Sequence, residues 1–567
     1  MPPTVSKKES TVASSAAPPT VLTRPVRYHA DGGALLEHLT RAGQLRTTRN
    51  PTDDNAAVRP VDCVLLESAD ITTKASRTTV AVLEASARLT CWDGTVTAEA
   101  LSTVDGEGPG PDGLAALARL EERLGEHVTG HSPDRLTLTL PTSSDDDPTI
   151  EERERLTALS TIEPLRVLAQ AEVDHPHLPL EAGAFAFDYL STFESLPEVA
   201  QGANTCPDYL FYDARIILVV DHPTREATLV GASVDTADLE RRMDALAAAI
   251  DSIDNAADVE APASSTDGAA SPVLHAVPTV SDADFEAVVE EMRGYIADGD
   301  VYQVVPSRGF TIACPDALAA YHVLRHANPS PYMFYLAAPD FELFGASPES
   351  ALLHSARTGR VAIRPIAGTR PRGLHPDGSV DHERDTRLEL ELRTDAKEVA
   401  EHVMLVDLAR NDVARVSRPG TRSVQDLLRV DRYSRVMHLV SEVSGELADD
   451  LDALDAFRAS MTMGTLTGAP KLRAAELIRQ AEGVRRGSYG GSVGYIRGDG
   501  ELDTCIVIRS SFVAGGTALV QAGAGVVAAS SPAAEVAETV HKARAVLEAV
   551  AAAQGATLVI DTTGKEA

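Results

Sequence analysis

Four glutamates carry the first spacing that points to chemistry. Glu398 and Glu401 stand three residues apart in DAKEVAEHVMLVDLARND (395–412), and Glu535 and Glu538 repeat the interval in AAEVAETVHKARAVLEAVAA (533–552). In the first stretch Val399, Val403, Leu405, Val406 and Leu408 recur close to helical spacing, so one face packs inward while the two carboxylates share another. Either pair alone reads as a solvated acidic face. Two such faces brought together make an oxygen-rich cleft for a hard cation such as Mg²⁺, which takes carboxylates, water and an anionic ligand.

Three further side chains have chemical reach. Glu349 follows an apolar strand at the Ser-Pro turn of FGASPES; a carboxyl drawn out of water there stays protonated and can donate to a departing hydroxyl, or else it caps the turn. His438 lies in RVMHLVSEV, where alternation puts it on the face of Val436, Val440 and Glu442: a core histidine, or a proton carrier. Arg509 closes DTCIVIR on the face of Cys505 and Val507, and in such company it needs an anion, from an internal carboxylate or from a substrate. Glycine turns at PIAGTRPRG (365–373), MGTLTGAPK (463–471), RRGSYGGSVGY (485–495) and QAGAG (521–525) let backbone amides approach an anion, with Thr369, Thr465 and Tyr489 beside them.

Helices and strands must hold these residues together. Helical patterns are expected near Gly33–Gly43, over EERERLTALSTIEPLRVLAQ, 236–251, SDADFEAVVEEMRGYIADGD and PDALAAYHVLRHA. Strands are expected at Val61–Glu67, as the pair GAFAFDYL and YLFYDARIILVVDH, and at VYQVVPSRGFTI, YMFYLAA, ELFGASPE and VAIRPIAG, and Thr79–Thr97 is a second apolar-rich region. In the C-terminal half neither a GxGxxG nor a Walker phosphate loop occurs. GEGPGPDG (106–113) and PTSSDDDP (141–148) read as surface excursions. The division expected is a disordered tail (1–25), an N-terminal region (26–250), a linker or exposed crossing (251–276), a catalytic region (277–555) and a C-terminal tail (556–567). A chain of 567 residues with 51 basic and 84 acidic side chains, net charge −33, is poorly suited to nucleic acid or anionic membranes. Five scattered cysteines and the lack of an apolar span or leader fit a reduced, cytoplasmic protein.

The ordered series VYQVVPSR, NPSPYMF, FGASPES, PIAGTRPRG, ELRTDAKEVAEHVMLVDLARND, VDRYSRVMHLVSEV, MTMGTLTGAPK, GSYGGSVGY, LDTCIVIRS and QAGAG, with LLESADI (65–71) upstream, resembles the chorismate-utilising enzymes. Within them it is most similar to the large, component I chains of anthranilate synthases. The resemblance implies an α+β fold, a large sandwich of mainly antiparallel sheets flanked by helices with the active cleft between the sheets, to which both halves of the chain contribute. It implies conversion of chorismate and ammonia to anthranilate and pyruvate, the ammonia coming from glutamine on a separate amidotransferase subunit, and an assembly of two large and two small subunits.

By the same resemblance Glu401 and Glu538 are expected to ligate Mg²⁺, with Glu398 and Glu535 supporting them. Glu349 is expected to be the acid for the departing hydroxyl and His438 the acid/base residue at C2. Arg509 and Tyr489, the backbone of Gly523, Ala524 and Gly525, and Lys542 are expected to hold the enolpyruvyl carboxylate; Gly368, Thr369 and Thr465 line the ring side. Relatives that add water carry a lysine where this chain has Gln303, and the aminodeoxychorismate branch carries PIKGT where this chain has Ala367, so ammonia and the anthranilate outcome are favoured. The alternatives are aminodeoxychorismate synthase component I and a tryptophan-binding pseudoenzyme. LLES with NPSPYM implies a feedback pocket for L-tryptophan at Glu67, Ser68, Pro331, Tyr332 and Met333.

Overall fold

The computed structural model describes residues 18–49, 58–69, 76–106, 108–142, 151–253, 272–375, 379–433 and 436–562. The organising strand is Tyr209–Asp221, whose run YLFYDARIILVVD is buried on both faces nearly throughout. Its first half pairs with Leu180–Phe185 and its second half with Glu226–Ser233, while the long strand Ser76–Trp92 follows it along its length. From this spine two sheet halves spread.

One half runs through Leu180–Phe185 to Ser492–Arg497, Leu502–Ile506, Ser350–Ser355, Arg360–Ile363 and Val436–Glu446. The other runs from Ser76–Trp92 through Cys63–Ala69 to Tyr332–Ala337, Glu342–Ser347, Ser510–Ala514, Thr517–Gly523 and Ser307–Ala313. These ladders are antiparallel; Val273–Pro278 with Thr557–Ile560 is a parallel exception. In each half strands from before residue 260 are followed by strands from after it, so both parts of the chain contribute to both halves.

Burial divides the molecule into layers. Val64, Val82, Ala182, Ala184, Leu210 and Phe334 belong to a core made of strand and loop residues only, where the sheets face one another. Helices Gly32–Arg41, Thr236–Asp251, Ala317–Ala327 and Pro532–Ala553 cover one outer face. Pro111–Leu124, Glu163–Ala169, Ala396–Val416 and Ala453–Ser460 cover the other. This is the expected α+β sandwich flanked by helices, and the double burial of its strands explains their nearly unbroken apolar runs.

Several boundaries differ from the sequence reading. Thr20–Val26, all but its last residue expected inside the disordered tail, pairs with Glu226–Ser233, and Thr557–Ile560, expected inside the C-terminal tail, pairs with Val273–Pro278. Such short segments gain order only from a tertiary partner, so local pattern does not reveal them. GEGPGPDG is only partly an excursion: Pro111 opens a helix, and Gly113 packs where an added Cβ would lie 2.4 Å from the Ser86 carbonyl oxygen. EERERLTALSTIEPLRVLAQ forms two helices, Glu152–Thr157 and Glu163–Ala169. GAFAFDYL leaves its strand at Phe185 for a tight turn over Phe187–Thr192. Residues 1–17, 143–148, 254–271 and 563–567 of the expected tails, loop and crossing lie outside the described residues.

Candidate active site

The expected DAKEVAEH helix spans Ala396–Val416. Asp395 caps it, accepting from the Lys397 and Glu398 amides at 2.9 and 3.1 Å, which offsets two of the unpaired donors at its start. Its buried side, including Leu405, Val406, Ala409 and Val413, lies against the strands Ile366–Pro371 and Val436–Glu446. Val403 is instead exposed, because the helix turns it away from that contact. The other ExxE lies on Pro532–Ala553, and each carboxylate of the two pairs has a distinct environment.

Glu398 is taken up by Arg370 at 2.8 Å, the same guanidinium reaching Asp395 at 2.6 Å. Glu538 is paired with Lys542 at 2.6 Å; burial pushes its carboxyl up, but Lys542, Glu535 and Arg509 together hold it below the ordinary range. Burial raises Glu401 and Glu535, and Glu538 adds to the rise in both. Glu401 Oε1 and Glu535 Oε2 are buried without a hydrogen-bond partner, Lys397 approaching Glu401 only to 3.6 Å. Orphaned anionic oxygens of this kind fit a divalent cation. No three of the four carboxylates gather within 4.8 Å, so the donor set suits an ion that keeps part of its water shell, as Mg²⁺ does.

Glu349 is buried (6% exposed) at the turn after Glu342–Ser347. Its carbonyl accepts from Ile506 N–H at 3.0 Å, and its side chain accepts from the Ile366 amide at a long 3.4 Å. Burial pushes its carboxyl up from 4.5 to about 8, only partly opposed by Ile366, Thr465, Arg509 and Lys542. The Thr465 hydroxyl lies close by but makes no hydrogen bond of good geometry. The carboxyl is therefore mostly protonated at neutral pH. Behind it a cavity of about 20 Å³, room for one water, is lined by Leu405, Leu408, Asp412, Gly464 and Thr465 among others.

His438 stands opposite Thr369 in the Val436–Glu446 ladder. Its Nδ1 lies 3.2 Å from the Gly368 carbonyl and 3.0 Å from the Thr369 hydroxyl. Donation to the carbonyl places the proton on Nδ1 and leaves Nε2 as the free base. Burial lowers the imidazole to about 4, so it is neutral where Glu349 is protonated. Tyr433 meets the ring edge-on at 5.1 Å. Gly368 has φ +76°, and a Cβ there would stand 3.2 Å from Glu398 Oε2, so glycine permits both the bend and the approach.

Arg509 differs from the strand-face reading. The strand ends at Ile506, and Arg509 sits in a bend at φ +50° whose carbonyl accepts from Ala346 N–H at 3.0 Å. Among the described residues, none forms a hydrogen bond or ion pair with its guanidinium, so the internal salt bridge is not made. Burial lowers it from its ordinary value, and Tyr489, Glu538 and Glu349 nearby offset only part of that. A cation so placed invites an external anion.

The remaining expected residues are partly gathered. Tyr489 is buried, and a Cβ on Gly523 would stand 3.0 Å from its hydroxyl. Lys542 donates to the Gly523 carbonyl at 2.9 Å besides pairing with Glu538. Ala524 faces the core and its amide is spent on the Pro306 carbonyl at 3.1 Å, so it offers no donor. A Cβ on Gly525 would meet the Gln303 amide nitrogen at 3.1 Å, and Gln303 Oε1 is buried without a partner. Ala367 lies in Ile366–Pro371 beside a register shift that precedes Thr369.

The expected effector residues split between two faces. Glu67 opposes Met333, and Ser68 opposes Tyr332. Glu67 accepts from Tyr321 at 2.5 Å, from Arg325 at 2.9 and 3.1 Å, and from the Gly32 amide at 3.3 Å. Ser68 accepts from the Thr78 amide at 3.1 Å, and the Pro331 carbonyl from Ala69 at 3.3 Å.

Some supports were missed in the sequence. Lys471 donates to both Asp412 oxygens at 2.8 Å and to the Ser460 carbonyl at 2.9 Å, bracing the floor of the small cavity. His402, fully buried beside Glu401, lies with Nε2 2.6 Å from the Ser441 hydroxyl. Arg370 and Lys471 stand inside PIAGTRPRG and MGTLTGAPK, but spacing gives no hint of partners 28 and 59 residues away.

Comparison with known proteins fits this site. Residues 131–548 match the family described as chorismate binding enzyme. Anthranilate synthase component 1 of Vibrio parahaemolyticus is 48% identical over 500 residues, 87% of this chain and 88% of the relative. That of Escherichia coli K12 is 47% identical over 529 residues, covering 92% of this chain and 98% of the relative. Anthranilate synthase component I from Streptococcus pneumoniae TIGR4 superposes with a TM-score of 0.61 at 28% identity, over 83% of this chain and 92% of that one. The menaquinone-specific isochorismate synthase of Escherichia coli, at 18% identity and TM-score 0.59, covering 94% of this chain and 96% of that one, shares the fold. This chain belongs to the chorismate binding enzymes. It is an enzyme acting on chorismate.

Proposed function

We propose that the chain is the large component of an anthranilate synthase, converting chorismate and ammonia to anthranilate, pyruvate and water. The observation that carries this reading is that buried Glu349 and partly exposed His438, whose Nδ1 is held by the Gly368 carbonyl, share the neighbours Arg509 and Lys542 and have opposed protonation: Glu349 holds a proton and His438 Nε2 lacks one. Glu349 gives its proton to the C4 hydroxyl, which leaves as water while ammonia bonds to ring C2. The added ammonium loses a proton, and Glu349 is reprotonated from solvent. His438 then takes the C2 proton, the bond from C3 to the ether oxygen breaks, and a proton on the enolpyruvyl methylene completes pyruvate. Arg509, with Tyr489, holds the enolpyruvyl carboxylate.

Glu401 and Glu538, with Glu398 and Glu535 supporting them, are the residues that would hold Mg²⁺, which when bound neutralises the ring carboxylate and withdraws electron density from the ring. Gln303 is an amide without a basic lone pair and Ala367 has no amine, so the chain activates no water and offers the ring no lysine; ammonia is the nucleophile. Ammonia reaches the cleft from glutamine through a partner amidotransferase subunit, in an assembly of two large and two small subunits in the cytoplasm. L-tryptophan inhibits at the strand pair carrying Glu67 and Met333 on one face and Ser68 and Tyr332 on the other, beside Pro331.

The purified chain with chorismate, Mg²⁺ and ammonium should form fluorescent anthranilate, and with glutamine alone it should not. A para-substituted product requiring a separate lyase would select the aminodeoxychorismate reading, and chorismate left intact would select the tryptophan-binding pseudoenzyme. Unchanged turnover in saturating L-tryptophan would remove the feedback assignment.

A further inference from the structure

On the outer face, Asp31 caps helix Gly32–Arg41 beside helix Ala317–Ala327, which presents His322 and His326 one turn apart. We infer that Asp31, His322 and His326 form a site for a divalent transition metal such as Zn²⁺. Among the described residues this is the group of three metal-ligating side chains whose ligand atoms all lie within 4.8 Å of one another.

Each ligand atom has the lone pair that a metal needs. Asp31 Oδ1 is occupied by the Ala34 amide at 3.0 Å, which fixes the carboxylate and turns Oδ2 toward the histidines. His326 Nδ1 lies 2.9 Å from the His322 carbonyl, so the proton sits on Nδ1 and Nε2 is free. An imidazole held from behind by a backbone carbonyl is oriented as metal-binding histidines are. His322 Nδ1 is buried and has no hydrogen-bond partner, an omission that ordinarily costs stability.

Both distances to the carboxylate match. His322 Nδ1 and His326 Nε2 lie 3.5 and 3.4 Å from Asp31 Oδ2. Ligand atoms around a tetrahedral Zn²⁺ stand about 3.4 Å apart, given bonds of about 2.0–2.2 Å. His326 is 53% exposed, which leaves a path for entry and a fourth position for water.

The competing cation is Arg325, 3.4 Å from Asp31 Oδ2. Its stronger partner is Glu67, at 2.9 and 3.1 Å, so it can release Asp31 and remain paired. Two imidazoles and one carboxylate select Zn²⁺, Co²⁺, Ni²⁺ or Cu²⁺ over Mg²⁺, whereas the four glutamates of the cleft have the opposite preference.

Co²⁺ titration of the metal-free full chain, followed by its visible d–d absorption, tests this in excess Mg²⁺. One Co²⁺ per chain with a tetrahedral spectrum, displaced by Zn²⁺, is expected. His326→Ala, at an exposed position, should weaken binding about 100-fold with the circular dichroism spectrum unchanged, and His322→Gln should do the same. Absence of the visible bands, or equal Co²⁺ affinity in the folded His326→Ala protein, overturns the assignment. Anthranilate formation in Mg²⁺ alone serves as the control and should be unaffected by His326→Ala.

Discussion

Replacing Glu349 by Gln separates the catalytic role of this carboxyl from its effect on stability. The unfolded chain ionises Glu349 at its ordinary 4.5, whereas the fold delays ionisation to about 8. Raising the pH from 4.5 to 8 therefore favours the unfolded state, which has already given up the proton. The linkage amounts to about 3 kcal/mol at pH 7 and levels off above pH 8. Glutamine keeps the shape and an oxygen for the Ile366 amide but never ionises, so the variant escapes this penalty. Its thermal midpoint should pull ahead of the wild type as pH rises from 5 to 8. Its turnover with ammonium, read by anthranilate fluorescence, should fall ~10²–10⁴-fold with KM for chorismate little changed, because the departing hydroxyl loses its proton source. A variant that retains more than a tenth of wild-type kcat, or a stability gap that does not widen over that pH interval, refutes the argument.

The pH dependence of wild-type turnover should show a plateau bounded on the acid side by His438, which charges near 4, and on the alkaline side by Glu349 near 8; initial rates at fixed free ammonia test it. Glu401→Gln and Glu535→Gln each remove an orphaned buried anion, so each should raise the Mg²⁺ concentration for half-maximal activity by about tenfold or more while leaving the folded spectrum intact. Arg509→Lys keeps the charge but loses the planar fork, and kcat/KM for chorismate should drop by about 10–100-fold. Asp412→Ala strands Lys471 beneath the small cavity and should cost about 3–5 kcal/mol, seen as a lowered denaturation midpoint.

Much of the architecture was legible because its strands and helices repeat their apolar residues at the periods that burial demands. Tyr209–Asp221 reads as a strand because both its faces are covered, and Ala396–Val416 reads as a helix because one side meets a sheet. Segments without an independent pattern were hidden. Thr20–Val26 and Thr557–Ile560 are ordered by partners more than 200 residues away, and backbone pairing leaves no trace in local composition.

The sequence alone determined which side chains are present and the fine spacing within each motif: two ExxE faces, a glutamate after a Ser-Pro turn, a histidine in a strand, and glycines where Gly368 and Gly523 are needed. The tertiary structure decided which of them act. Glu398 and Glu401 have equal standing as letters, yet Arg370 neutralises the first and the second keeps a buried free oxygen. Arg509 had an internal carboxylate and a substrate anion as rival partners, and the bend at φ +50° left it without the former. Protonation state, charge compensation and free lone pairs depend on what surrounds a group in three dimensions, and those neighbours come from strands and helices that sequence order keeps apart.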